Sequence, residues 1–166
     1  MYISRHEMYP THSSDNIEAD SVAEGEWKRS YGGKLITCEA EPCVVVAIHD
    51  PERYVGYLGH FTVETSPYSR LPFMRMLREV RADKPTEGIE AWVSGASRLN
   101  VPGEDAQDIA VYNEQLDETK ADTIEKLVLL GISSPEQDWL DENEKIVSAL
   151  FNCASGSIDY VVDKID

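Results

Sequence analysis

Apolar and polar positions fall in blocks along this chain, and each block predicts an element. Cys43 to His49 (CVVVAIH) is a β-branched apolar run with no polar alternation, the pattern of a strand buried on both faces. Asp50-Pro51-Glu52-Arg53 reads as a turn. Tyr54 to Val63 (YVGYLGHFTV) resumes the strand pattern, so the two runs predict a hairpin in which Gly56 and Gly59 mark a bulge or a close backbone approach. With the turn midway between Cys43 and His60, a register placing those two roughly opposite one another is the natural one. Leu35 to Glu39 is a shorter β-prone run upstream. Ile89 to Val93 predicts a further strand, closed by the small residues Ser94 to Ser97, and Ile146 to Cys153 with Ile158 to Val162 predict a second hairpin around Gly156.

Two stretches have helical spacing. Ser69 is placed to cap a helix with Pro72 in its first turn and Leu71, Met74, Leu77 and Val80 along one face, ending near Asp83-Lys84-Pro85. After Pro102-Gly103, the residues Ile109, Tyr112, Leu116, Thr119, Ile124, Leu127 and Leu130 recur at threes and fours until Gly131. This order of elements predicts a single α+β domain: a mixed or antiparallel sheet, single or folded into a two-layered β core, flanked by main helices near 69–82 and 105–130. The segment from Met1 to about Gly25 is polar, acidic and aperiodic. It predicts a loosely attached N-terminal extension over 1–25, with the domain proper occupying 26–166 and starting near Trp27.

Composition narrows the function classes. A chain of 166 residues is the size of one domain, and 42% hydrophobic with 28% charged residues excludes both a disordered chain and a membrane-embedded one. No window approaches the ~20 apolar residues a bilayer requires. The first ten residues lack an apolar run flanked by bases, so no secretory signal is predicted and a cytoplasmic location is expected. The net charge of −16 disfavours nucleic acid, which is bound by neutralising phosphates with Lys and Arg. Three cysteines, Cys38, Cys43 and Cys153, are an odd number without paired spacing and suit a reducing compartment.

Nucleophilic thiol chemistry needs a thiolate, a neighbouring imidazole to take the proton and a third group to orient that imidazole. Cys43 and His60 are the candidate pair, against the plain alternative that a Cys opening an apolar strand is a small buried hydrophobe. Cys38, Cys43, His49 and His60 have neither a CxxC nor an HExxH spacing, so no metal is predicted, and no cofactor is implied. Glu136 to Glu144 lacks the spaced ligands and central Gly of a calcium loop and reads as solvated surface, while Cys153 reads as core.

The spacing around Cys43 resembles the CheD family of chemoreceptor glutamine deamidases. In that family a Thr precedes the nucleophilic Cys by six positions and the catalytic His follows it by seventeen; Thr37, Cys43 and His60 stand at those intervals. The order continues with a helix carrying an early Tyr68, a strand ending in Gly-Ala (Val93 to Ser97), a long helix finishing in Leu130-Gly131-Ile132 and a closing strand-turn-strand around Gly156, so that the resemblance spans roughly residues 33 to 162. It implies a CheD-like fold, distantly related to the catalytic domains of cytotoxic necrotising factors. It also implies cysteine-dependent deamidation of glutamine in a protein substrate such as a chemoreceptor or another signalling protein, through a thioester. In those roles Cys43 attacks the amide carbon, His60 moves the protons, and Thr37 holds the imidazole. The chain departs from the family where Gly-x-Gly-Ser normally leads into the Cys: here stand Glu39-Ala40-Glu41-Pro42. Pro42 has no N–H to offer an oxyanion, and Glu39 and Glu41 would raise the Cys43 pKa if they pointed inward. A CheD-fold binding or adaptor protein without activity, and a Cys-His hydrolase of another acyl substrate, are the alternatives. Oligomeric state is not legible.

Overall fold

A computed structural model describes residues 1–7, 18–40, 42–63, 66–99 and 105–164. Among these described residues ten strands and two helices follow one another as β1 (Tyr2–Glu7), β2 (Asp20–Ser21), β3 (Glu26–Tyr31), β4 (Lys34–Ala40), β5 (Val44–Asp50), β6 (Val55–Phe61), α1 (Leu71–Ala82), β7 (Glu90–Gly95), α2 (Ala106–Leu129), β8 (Glu136–Trp139), β9 (Glu144–Asn152) and β10 (Ser157–Lys164). The chain is an α+β domain with two mixed five-stranded sheets, in the orders β1-β10-β9-β4-β2 and β3-β6-β5-β7-β8. The pairs β1/β10, β2/β4 and β7/β8 are parallel and the others antiparallel.

The sheet alternation sorts the apolar residues into two cores. Val44, Val46 and Ile48 of β5 point to the side that packs with Phe73, Met76 and Val80 of α1 and Leu116 and Leu127 of α2. Cys43, Val45 and Ala47 point to the other side, where they meet Leu35, Ile146, Ala149, Phe151 and Tyr160 of the first sheet. The layers therefore run helices, sheet, sheet. Strand β5 is buried on both faces, which is why its sequence shows no polar alternation.

Gly56 and Gly59 sit in an unbroken β5/β6 ladder, so they mark close approach and not a bulge. A Cβ on Gly56 would run into Cys153 and Phe151 of the facing sheet, and one on Gly59 into Phe61.

Three expectations change. The first 25 residues, expected as a loose extension, supply β1 and β2, and they bury Val22 to 2% exposure. An edge strand can be polar because one side of its ladder and one of its faces meet water, so no apolar alternation announces it. The same reason hides β8 inside the acidic stretch expected as solvated surface: Glu136–Trp139 pairs parallel with Trp92 to Gly95. Helix α1 starts at Leu71 with Arg70 at the cap position and makes no side-chain cap, and its buried face is Phe73, Met76, Leu77 and Val80. Leu71 and Met74, expected on that face, are 44% and 42% exposed. In α2, Asp105 is the cap and accepts from the Gln107 N–H at 2.8 Å.

Candidate active site

Thr37, Cys43 and His60 arrive from three segments that meet between the two sheets. Thr37 lies in β4, fully buried, where its neighbour Cys38 points out to an exposed position. His60 lies in β6 of the other sheet and is 2% exposed. The two side chains bridge the sheets: Thr37 Oγ1 and His60 Nδ1 are 2.8 Å apart. Thr37 Oγ1 also lies 2.8 Å from the Val22 carbonyl oxygen, which only accepts. A hydroxyl has one proton, and the carbonyl takes it. Thr37 must then accept from His60 Nδ1–H, so Nε2 carries the lone pair.

Cys43 stands just before β5. Val44 faces Phe61 and Val45 faces His60, so Cys43 projects onto Thr62, two residues from the register expected from the turn. The turn is displaced to Pro51–Tyr54, closed by Asp50 and Val55. A shift of two preserves the face: Cys43, Val45 and His60 all point toward the first sheet, with Cys43 and His60 as diagonal neighbours, a relation that spans about 7–8 Å along an antiparallel ladder. The hydrogen bond expected between the thiol and the imidazole is not formed. His60 Nε2 is buried and has no hydrogen-bond partner among the described residues.

Backbone contacts fix the position of Cys43. Ala96 N–H donates to the Cys43 carbonyl at 2.8 Å. Gly95 (φ +88°) passes so close that a Cβ there would strike that carbonyl, and Ala96 follows at φ +53°. The Gly-Ala at the end of β7 is thus the brace behind Cys43.

Beside Cys43 opens a cleft of about 370 Å³ lined by Glu24, Pro42, Thr62, Val63, Tyr112 and Gln115. His60 does not line it. Burial pushes the Cys43 thiol up to about 12, and the Glu24 carboxylate adds to the shift. Burial lowers His60, with Glu24 opposing. At neutral pH the site therefore holds a thiol and a neutral imidazole and not a preformed ion pair.

Sequence reasoning missed Glu24 and the Val22 carbonyl, both in the segment read as an extension; a lone Val in a polar stretch was the only signal there. The carboxylate that acts on Cys43 is Glu24. Glu39 is exposed and reaches toward Lys145 Nζ at 3.7 Å, acting on Cys38 instead; Glu41 lies outside the described residues. His49 Nε2 is 3.0 Å from the Cys153 carbonyl oxygen, and no group of three or more metal-ligating side chains comes together among the described residues.

No family model matches the chain, and no curated protein matches it. Among solved structures it is similar to the hypothetical protein YfiH of Bacillus licheniformis, with 16% identity and a TM-score of 0.45 over 68% of this chain. The aligned part is 50% of that protein, so the chain spans about half the length of this neighbour. None of these comparisons shows a family, and the resemblance to CheD rests on the residues quoted above. Among the described residues no helix is long and apolar enough to cross a membrane.

Proposed function

We propose that the chain is a cysteine-dependent protein-glutamine deamidase of the CheD type. The observation that carries this reading is the buried relay from Val22 through Thr37 to His60, which leaves Nε2 unprotonated, unpartnered and on the same face as Cys43. A histidine held in one tautomer with its basic nitrogen free is what a general base requires.

The reaction then runs on this chain's own groups. Cys43 Sγ attacks the glutamine amide carbon from the cleft as its proton passes to His60 Nε2. The tetrahedral adduct collapses to a thioester, and the imidazolium gives its proton to the departing ammonia. Water, deprotonated by Nε2, attacks the thioester carbon, releasing glutamate and restoring the thiol. Approach of the thiol to Nε2 belongs to the substrate-bound state, since such hydrogen bonds are often long before substrate arrives.

The test is ammonia release from glutamine-containing proteins by the wild type and Cys43→Ala. Release that depends on Cys43 supports the reading, and equal background from both sinks it.

A second reading, a binding protein on the same fold without activity, is favoured by two features. Cys43 is held up to about 12 and has Pro42, which lacks an N–H, at its entry. A thiol probe separates the two: labelling of Cys43 that His60→Ala abolishes marks an activated nucleophile, and labelling indifferent to His60 marks an inert buried thiol.

A further inference from the structure

Helix α1 is basic in an acidic chain. It holds Arg75, Arg78 and Arg81 against one acid, Glu79, whereas the whole chain carries −16. With acids outnumbering bases two to one, surface arginines would ordinarily find carboxylates. Among the described residues these three make no ion pair, although Arg5, Arg29, Arg70 and Arg98 each do.

The same helix borders a groove. Two adjoining hollows of about 410 and 310 Å³ lie between α1 and α2, sharing Met74 and Lys126 in their walls. The floor is apolar, formed by Met74, Leu77, Leu129 and Leu130, and Leu129 is 64% exposed. Arg78, Arg81 and Lys126 form the rim. At the far end, where Glu118 also lines the wall, Asp122 pairs with Arg70 at 2.8 Å and with Lys126 at 3.6 Å, so the unpaired bases of the rim are Arg78 and Arg81.

We propose that this groove docks an acidic amphipathic helix of a partner protein. An apolar floor edged by unpaired guanidinium groups is complementary to a helix with an apolar stripe flanked by carboxylates. The hollow between two helices offers no strand edge, so the occupant pairs its backbone internally. The wall from Arg70 to Arg81 is about 16 Å long at the helical rise, room for three turns. The chain as a whole is acidic, at −16, and repels an acidic segment elsewhere, which leaves this basic strip as the favourable place for an acidic partner. The turn of α2 preceding the groove carries Tyr112 and Gln115 into the Cys43 cleft, so a docked partner lies beside that cleft. The proposal stands independently of the chemistry assigned to Cys43.

The probe is a fluorescein-labelled helical peptide with leucines at i, i+4 and i+7 spacing and flanking glutamates, titrated into the whole chain and followed by anisotropy. Its controls are the same peptide with lysines for glutamates, and with the leucines scrambled. The expected result is binding of the glutamate peptide alone, weakened by salt. Arg78→Glu with Arg81→Glu should reduce it about tenfold or more and admit the lysine peptide. Both arginines are exposed, so the pair leaves the fold intact, and an unchanged thermal midpoint verifies it. Met74→Gln should weaken binding without altering charge. The proposal is overturned by equal binding of the glutamate and lysine peptides, or by affinity indifferent to the double reversal. Self-association that the reversal abolishes would assign the groove to a second copy, and displacement of the peptide by phosphatidylglycerol vesicles would assign it to a membrane; either also overturns the proposal.

Discussion

Thr37 and His60 belong to different sheets, and the 2.8 Å contact between their side chains is a polar bridge across a mainly apolar layer, which His49 also crosses to the Cys153 carbonyl. Its direction follows from the Val22 carbonyl on the far side of Thr37.

Replacing Thr37 with Val keeps the shape but leaves the Val22 carbonyl and His60 Nδ1–H without their partner. Leaving such a group unpaired in the interior costs about 1–3 kcal/mol. Urea denaturation should show Thr37→Val destabilised in that range and Thr37→Ser largely restored. Nitrogen NMR of the wild-type imidazole should show the proton on Nδ1 of His60. Finding it on Nε2 would break the relay and, with it, the assignment of Nε2 as base.

Glu24 acts on both members of the pair in the same direction, since its negative charge disfavours thiolate and favours imidazolium. Glu24→Gln should therefore lower the pKa of Cys43 and that of His60 together. Alkylation rate against pH reads the first, and proton NMR titration reads the second. Opposite movements would show that Glu24 is not the shared neighbour.

The buried thiols tie stability to alkaline pH. Cys43 and Cys153 are both raised by burial from 9.0 to about 12. A pKa higher in the folded state than in the unfolded one means that the fold favours the protonated thiol. That contribution is complete below about 9 and is lost as pH climbs from there toward 12. Tyr57 and Tyr160 are shifted in the same direction and share the fall. Urea midpoints measured across that window should decline for the wild type and decline less for Cys43→Ala. An identical slope in the two proteins would place the ionisation elsewhere.

For His60 the sign is reversed. Burial lowers its pKa, so the neutral ring stabilises the fold above the ordinary value of 6.5 and that stability is lost as pH falls through the folded value. The acid limb of any Cys43-dependent activity should accordingly lie below 6.5, and a limb above it would argue against His60 as the base.

Gly56→Ala should be costly although alanine suits a strand better than glycine does. The added methyl enters space held by Cys153 and Phe151, and overpacking of this kind costs about 1–3 kcal/mol. A stabilised Gly56→Ala protein would show that the two sheets are not in close contact there.

Local physics made much of this protein legible from its sequence alone. The β5/β6 and β9/β10 hairpins, β7 and the long helix α2 follow from apolar patterning: a continuous run where a strand is buried on both faces, as in β5 and β6, and a repeat at the spacing of the buried face where one side meets water. The intervals between Thr37, Cys43 and His60 are likewise fixed by the order of residues. Tertiary structure decided the rest, since it depends on partners distant in the chain. Edge strands β1, β2 and β8 exist through pairing with strands up to 155 positions away, and their own sequences need no apolar face. The register of the hairpin shifted by two residues because turn position, not residue identity, sets it. The carboxylate acting on Cys43 is Glu24, distant in the chain, while Glu39 acts on Cys38, because charge acts through space and not along the sequence. The tautomer of His60 depends on a carbonyl at Val22, 38 residues upstream, whose position no local pattern encodes.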